Sequence, residues 1–169
     1  MRAFIGIKLD DCQADILEII NELKSKSMQG NYTLANNIHL TLVFLGDIPE
    51  CEIDKVKAIL ESIEYYEFPL EIIKIKKLKD MIILEVRKDN HLMEYQKKLQ
   101  NRLISEGLRI EDRPYYPHIT VARKNNDSIT RDLQMQSIAR EVILFSSSRI
   151  YNVLTYTPIS KRKLENNDA

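Results

Sequence analysis

Residues 36–47 read NNIHLTLVFLGD, and residues 115–124 read YYPHITVARK. Each stretch sets a histidine two positions before a threonine inside an apolar run bounded by turn-forming residues. Such runs, rich in Leu, Ile, Val and Phe, read as strands, with Gly46-Asp47 closing the first. Residues two apart on a strand share a face. His39 and Thr41 therefore project together, opposite Leu40, Leu42 and Phe44. His118 and Thr120 project together, opposite Ile119 and Val121. On this alternation Val43 and Leu45 return the first motif face to apolar character, so the polar pair is local. The chain has three histidines and six threonines. Two histidines with a threonine two later are a coincidence of roughly one in several hundred. A single such pair is an ordinary half-buried histidine in a sheet; two of them, in similar strands, point to function.

Working outward, AFIGIKL at the start reads as a strand. A helix over DDCQADILEIINELKSK follows, with Ile16, Ile19, Ile20 and Leu23 on one face. YTL is a brief strand before the first motif. PECEIDKVKAILESI is an amphipathic helix with Ile53, Val56, Ile59, Leu60 and Ile63 inward. FPLEIIKIKKL and MIILEVR form a hairpin about Lys79-Asp80. NHLMEYQKKLQNRLISEG is a helix stopped by Gly107, turning Leu92, Tyr95, Leu99, Leu103 and Ile104 inward. After the second motif the reading is a short helix over SITRDLQMQSIA, then an antiparallel pair, EVILFSSSRI with NVLTYTPI. The polar segment 161–169 reads as a tail after a single domain of residues 1–160. Element order repeats loosely between the halves. The expectation is an α+β, bilobal domain, each lobe a largely antiparallel sheet covered by helices, with the active-site cleft between them.

The 169 residues, 44% hydrophobic and 30% charged, suit one globular domain. With 25 basic and 25 acidic residues there is no global field to attract a polyanion, so any phosphate affinity must come from a local patch. Cys12 and Cys51 lie in no metal-ligand spacing and suit a reducing compartment. The opening apolar run is cut by Lys8 and Asp10, too early for a secretion signal, and nothing approaches a membrane span. The reading is a cytoplasmic monomer with no membrane association and no obligate protein partner.

Paired imidazoles divide acid–base work near neutral pH: one takes a proton from attacking water, the other protonates the leaving oxygen. Threonine hydroxyls donate to the non-bridging oxygens of a phosphate, where transition-state charge concentrates. The absence of an acidic cluster beside the motifs argues against a two-metal mechanism. The chemistry expected is a phosphodiesterase with no metal and no cofactor, its catalytic residues His39, His118, Thr41 and Thr120.

At these residues the chain also resembles a known family. HLTL at 39 and HITV at 118 are similar to the paired His-x-Thr-x motifs of the two-histidine phosphoesterases. With MRAFIGIKL, NIHLTLVFLGDI and RPYYPHITVAR, the whole chain looks like the RNA 2',3'-cyclic phosphodiesterases, also called 2'-5' RNA ligases. That resemblance implies pseudo-symmetric lobes facing each other across a cleft. It implies hydrolysis of RNA 2',3'-cyclic phosphate ends to 2'-phosphates, with His39 as proton donor and His118 as acceptor. Reversible 2'-5' ligation is a further implied activity. Family members often carry a tryptophan before the first motif; this chain has none, and Tyr32 takes a similar place as a base-stacking group. Arg123 becomes a phosphate ligand by the same resemblance, although strict alternation from His118 sets it on the wrong face unless a bulge or the strand end intervenes. Arg113, Tyr115 and Tyr116 are either phosphate- and base-binding groups, or a surface arginine beside packed tyrosines. KIKKLK at 74–79 reads as a solvated strand face, and His91 as a residue of a helix start. Two other functions remain in view: action on a small cyclic nucleotide phosphate such as an ADP-ribose cyclic phosphate, and a nucleotide- or RNA-binding module without turnover.

Overall fold

The computed structural model describes residues 1–26 and 30–166. Its elements run β1 (Arg2–Ile7), α1 (Gln13–Lys26), β2 (Asn31–Tyr32), β3 (Leu40–Asp47), α2 (Glu50–Ser62), β4 (Phe68–Leu78), β5 (Met81–Val86), α3 (Asn90–Ser105), β6 (His118–Arg123), β7 (Thr130–Ala139), β8 (Glu141–Ile150) and β9 (Val153–Lys163). Two antiparallel sheets result, one ordered β3-β1-β8-β9 and the other β2-β6-β5-β4-β7. Each lobe draws strands from distant parts of the chain, so the sequence halves are not the lobes.

The helices form where apolar residues recur at helical spacing, and those faces are buried. They are Ile16, Ile19, Ile20 and Leu23 of α1, Ile53, Val56, Ile59 and Leu60 of α2, and Leu92, Tyr95, Leu99 and Leu103 of α3. Ile104, expected inward, is 38% exposed, because it lies one step round from Leu103 on the helix surface. Asp89 caps α3, accepting from the backbone N–H groups of His91 and Leu92. His91 itself is exposed. Helix α1 lies by the second sheet, where Glu22 pairs with Arg131 of β7 at 3.1 Å. Helix α3 touches the first sheet through the Gln96 side chain, which donates to the Leu42 carbonyl at 3.2 Å.

One expected helix is a strand. Residues 130–139 form β7, pairing with β4 from Phe68↔Ala139 to Lys76↔Thr130. The deciding pattern is Leu133, Met135, Ser137 and Ala139 turned inward at alternate positions, with Gln134, Gln136 and Ile138 exposed. That is period two, which a glance at Ile129, Leu133 and Ile138 obscures. The expected tail is also shorter. Strand β9 continues to Lys163, Leu164 is buried, and Tyr66 bridges to Glu165, so the packed domain runs past residue 160. The last part of that tail call, 167–169, lies outside the described residues. No helix among them is long and apolar enough to cross a membrane.

Candidate active site

Both motif strands carry the same irregularity one residue beyond the threonine. On β3, Thr41 pairs with Gly6 and Val43 with Ile5, which leaves Leu42 as an extra residue. On β6, Thr120 pairs with Ile83 and Ala122 with Ile82, which leaves Val121 as the extra one. A bulge of this kind shifts the side-chain alternation by one. Leu40, Leu42, Val43 and Leu45 therefore all reach the core, against the simple alternation, and Phe44 emerges at 59% exposure. On β6 the same shift sends Ala122 to the core and returns Arg123 to the face of His118 and Thr120. There it pairs across the ladder toward Met81, its Nη1 3.3 Å from that sulfur.

The carbonyls around each bulge leave the regular ladder and find other donors. The Thr41 carbonyl accepts from the Tyr115 hydroxyl at 2.6 Å, and the Leu42 carbonyl from Gln96. On the other side the Thr120 carbonyl accepts from the Thr33 hydroxyl at 2.8 Å, and the Val121 carbonyl from the Thr33 N–H at 3.0 Å. The Tyr115 bond runs from the segment leading into β6 to the backbone of β3, tying the two motif strands together where they approach.

The imidazoles are held alike. His39 Nδ1 lies 2.7 Å from the Asn37 carbonyl, and His118 Nδ1 lies 2.8 Å from the Tyr116 carbonyl. A carbonyl only accepts, so each Nδ1 carries the proton and each Nε2 is left to work. His39 Nε2 sits 2.8 Å from Thr41 Oγ1. Its ring lies against Phe4 (4.8 Å between centroids) and edge-on to Tyr156 (5.1 Å), with Phe145 behind. Gly6 permits this approach: a Cβ there would stand 2.8 Å from the Leu40 carbonyl oxygen and 3.5 Å from His39 Cδ2.

Burial in this aromatic wall is the main influence on His39 and pushes its pKa down to about 4. The Asn37 carbonyl opposes the shift, while coulombic repulsion from Arg123 and His118 adds to it. Both of those residues stand on β6, in the other sheet. Beside His118 stands Tyr116, rings 5.3 Å apart, its hydroxyl donating to Glu85 at 3.0 Å. Lys76 pairs with Glu85 at 3.3 Å and lies over the Tyr116 ring. Burial raises the Glu85 carboxyl, but the Tyr116 and Lys76 hydrogen bonds outweigh it and hold the pKa below the usual range. Register puts Lys74 opposite Glu85 and Lys76 opposite Ile83, so these two lysines share the face of His118 and Thr120. Among the described residues, no group of three His, Cys, Asp or Glu is arranged to hold a metal ion.

The structure thus sets His39 beside Thr41 at the start of β3 and puts His118, Thr120 and Arg123 on one face of β6, the two strands approaching each other. Other expected residues go elsewhere. Tyr32 pairs with Ala122, on the core side of β6, and its hydroxyl reaches the Leu23 carbonyl of α1, so it is no stacking group for the cleft. Tyr115 packs against the core and spends its hydroxyl on Thr41. Arg113 is exposed and paired with Glu111 at 3.2 Å in the loop before β6. Phe4, Gly6, Asn37 and Tyr156 were not singled out in the sequence. The recurrence of Phe4 and Gly6 at alternate positions of β1 is the one local signal that they share a face.

Fold and site together define a two-lobed phosphoesterase architecture with paired histidine–threonine strands. The chain belongs to the 2'-5' RNA ligase superfamily, whose family model matches residues 12–151. It is 28% identical over 131 residues to the RNA 2',3'-cyclic phosphodiesterase of Thermotoga maritima, covering 73% of this chain and 70% of that one. To the protein of the same name from Bacillus subtilis it is 33% identical over 93 residues, a match spanning 51% of each chain. The crystal structure of Escherichia coli LigT complexed with NADP+ superposes with a TM-score of 0.81 at 25% identity, covering 97% of both chains.

Proposed function

We propose that this protein hydrolyses RNA 2',3'-cyclic phosphate ends to 2'-phosphomonoesters by acid–base catalysis at His39 and His118. The observation that carries the reading is the matched tethering of the two imidazoles, each with Nδ1 bound to the carbonyl two residues back. Two relatives that bear the name RNA 2',3'-cyclic phosphodiesterase support the substrate class.

Water adds to phosphorus as the bond to O3' breaks, and the 2' ester remains. His118 Nε2 takes the proton from water, and His39 Nε2 gives one to the departing O3', in the roles the family resemblance implies. Because free His39 is held neutral at pH 7, it takes up the proton it donates from solvent as the substrate binds: an anionic phosphodiester beside Nε2 offsets the cost of burying the charged ring. Thr41 and Thr120 donate to the non-bridging oxygens, and Arg123 supplies positive charge on the same face. A 5'-hydroxyl in place of water follows the same proton path and forms a 2'-5' linkage, the ligase direction.

The test is turnover of a short RNA ending in 2',3'-cyclic phosphate, with chelator present, beside a 2',3'-cyclic mononucleotide and an ADP-ribose cyclic phosphate. The expected product is the 2'-phosphomonoester, lost in His39→Ala and in His118→Ala. Thr41→Val or Thr120→Val should lose ~10²-fold in kcat, as for a single oxyanion donor. Full activity in either histidine variant refutes the assignment.

A further inference from the structure

The β8–β9 hairpin outruns its sheet. Pairing of β1 with β8 ends at Ala3↔Ser146, whereas β8 and β9 stay paired out to Ile150↔Val153. Beyond Ser146 the chain is a two-stranded arm, which has little stability of its own. It is anchored by Asn37, whose Nδ2 donates to the Leu154 carbonyl at 2.9 Å and whose Oδ1 accepts from the Tyr156 N–H at 3.2 Å. The carbonyl of that same buried asparagine holds His39 Nδ1. Arm and imidazole share one anchor.

Register fixes which way the arm faces. Phe145, Ser147 and Arg149 pair with Pro158, Tyr156 and Leu154 with no irregularity among them, so they lie on one face. Phe145 and Tyr156 are the rings packed around Phe4 and His39, so Arg149 projects on the His39 side. Its Nη1 donates to the Asn152 carbonyl at 3.2 Å, which sets the guanidinium beside the turn. At the tip Tyr151 is 97% exposed and has φ of 50°, followed by Asn152 at 64°. A turn with two left-handed residues favours Asn and Gly, and local folding gains nothing from a bulky aromatic there.

We propose that this arm binds the RNA chain on the 5' side of the reacting end, with Arg149 taking a backbone phosphate and Tyr151 stacking on a base. The proposal rests on the RNA-end reading of the site. Tyr151 is five residues from Tyr156, so it stands ~15 Å along the arm from the ring that touches His39. That is beyond a lone terminal nucleotide and within reach of those preceding it. A cation beside an exposed π-face is the pairing that single-stranded nucleic acid recruits without regard to sequence.

The experiment compares kcat and KM for an RNA of about eight nucleotides ending in 2',3'-cyclic phosphate with those for the cyclic mononucleotide. Tyr151→Asn suits the turn better than tyrosine, so its fold is safe; it should raise KM for the oligomer about 10-fold. Arg149→Gln should raise the oligomer KM and flatten its salt dependence, by about 0.7 in the log–log slope. Neither variant should alter kcat or KM for the mononucleotide. An unchanged oligomer KM in both variants overturns the proposal, as does an equal loss on both substrates. Fluorescence anisotropy with a 2'-phosphate-ended oligomer separates the two readings. If wild-type protein turns over neither substrate but binds the oligomer with arm-dependent affinity, the reaction falls and the arm stands.

Discussion

The aromatic wall around His39 makes a quantitative prediction about pH. An exposed histidine titrates near 6.5, whereas burial against Phe4, Phe145 and Tyr156 brings His39 down to about 4. On the proposed mechanism turnover needs one neutral and one protonated imidazole, and the pH profile does not depend on which of the two starts with the proton. The acidic limb of kcat/KM marks loss of the last neutral imidazole in the free enzyme, so it should lie near pH 4. Tyr156 is the half-buried member of the wall and closes it on one edge, 5.1 Å from His39. Tyr156→Ala lets water back to the ring and should move the limb up by about 1 unit. At pH 5 the variant then keeps a smaller share of its own maximal activity than wild type keeps of its own. The assay is kcat/KM on the cyclic-phosphate RNA from pH 3.5 to 9 at constant ionic strength, with circular dichroism confirming the fold at each pH. A wild-type limb near 6.5 refutes the reasoning. So does a limb that stays in place in Tyr156→Ala.

The same shift acts on stability. Because the native pKa of His39 lies below the unfolded one, the unfolded chain binds the extra proton first, and stability is lost as pH falls from 6.5 through about 4. Denaturant titrations should show a loss of about 3 kcal/mol from this group across that window, and a flatter profile in His39→Gln. Tyr115→Phe keeps the ring but removes the 2.6 Å bond to Thr41 that joins the motif strands. We expect kcat to fall about 10-fold with KM little changed, at temperatures well below its Tm; loss in Tm alone would make the tyrosine merely structural. Gly6→Val sets branched carbon against the Leu40 carbonyl and the His39 ring, so activity should fall further than stability does, read as kcat beside Tm.

Much of this was legible locally. The His39–Thr41 and His118–Thr120 pairs followed from spacing, because strand alternation over two residues is a property of the backbone alone. The inward faces of α1 and α2 followed in the same way from helical spacing. Failures came where a second strand decides the outcome. β7 was misread because its inward residues include Ser137 and Ala139, which carry little hydrophobic signal although a helix-like spacing of larger residues does. Phe44 and Arg123 fell on the wrong faces in a strict alternation, since a bulge belongs to the ladder between two strands and is written in neither one.

The sequence by itself determined which groups the proposed chemistry can draw on: two imidazoles, two hydroxyls, and apolar strands to carry them. It could do so because those residue types and their two-residue spacing are complete within each short segment. The tertiary structure alone decided how that chemistry is tuned. Paired bulges turned Arg123 onto the face of His118 and Phe44 outward. Long-range hydrogen bonds from Tyr115, Thr33, Gln96 and Asn37 fixed the motif strands and the hairpin arm. Rings from β1, β8 and β9 closed around His39 and lowered its pKa. Each of these depends on which distant residues come to lie side by side, and such neighbours exist only once both sheets have formed.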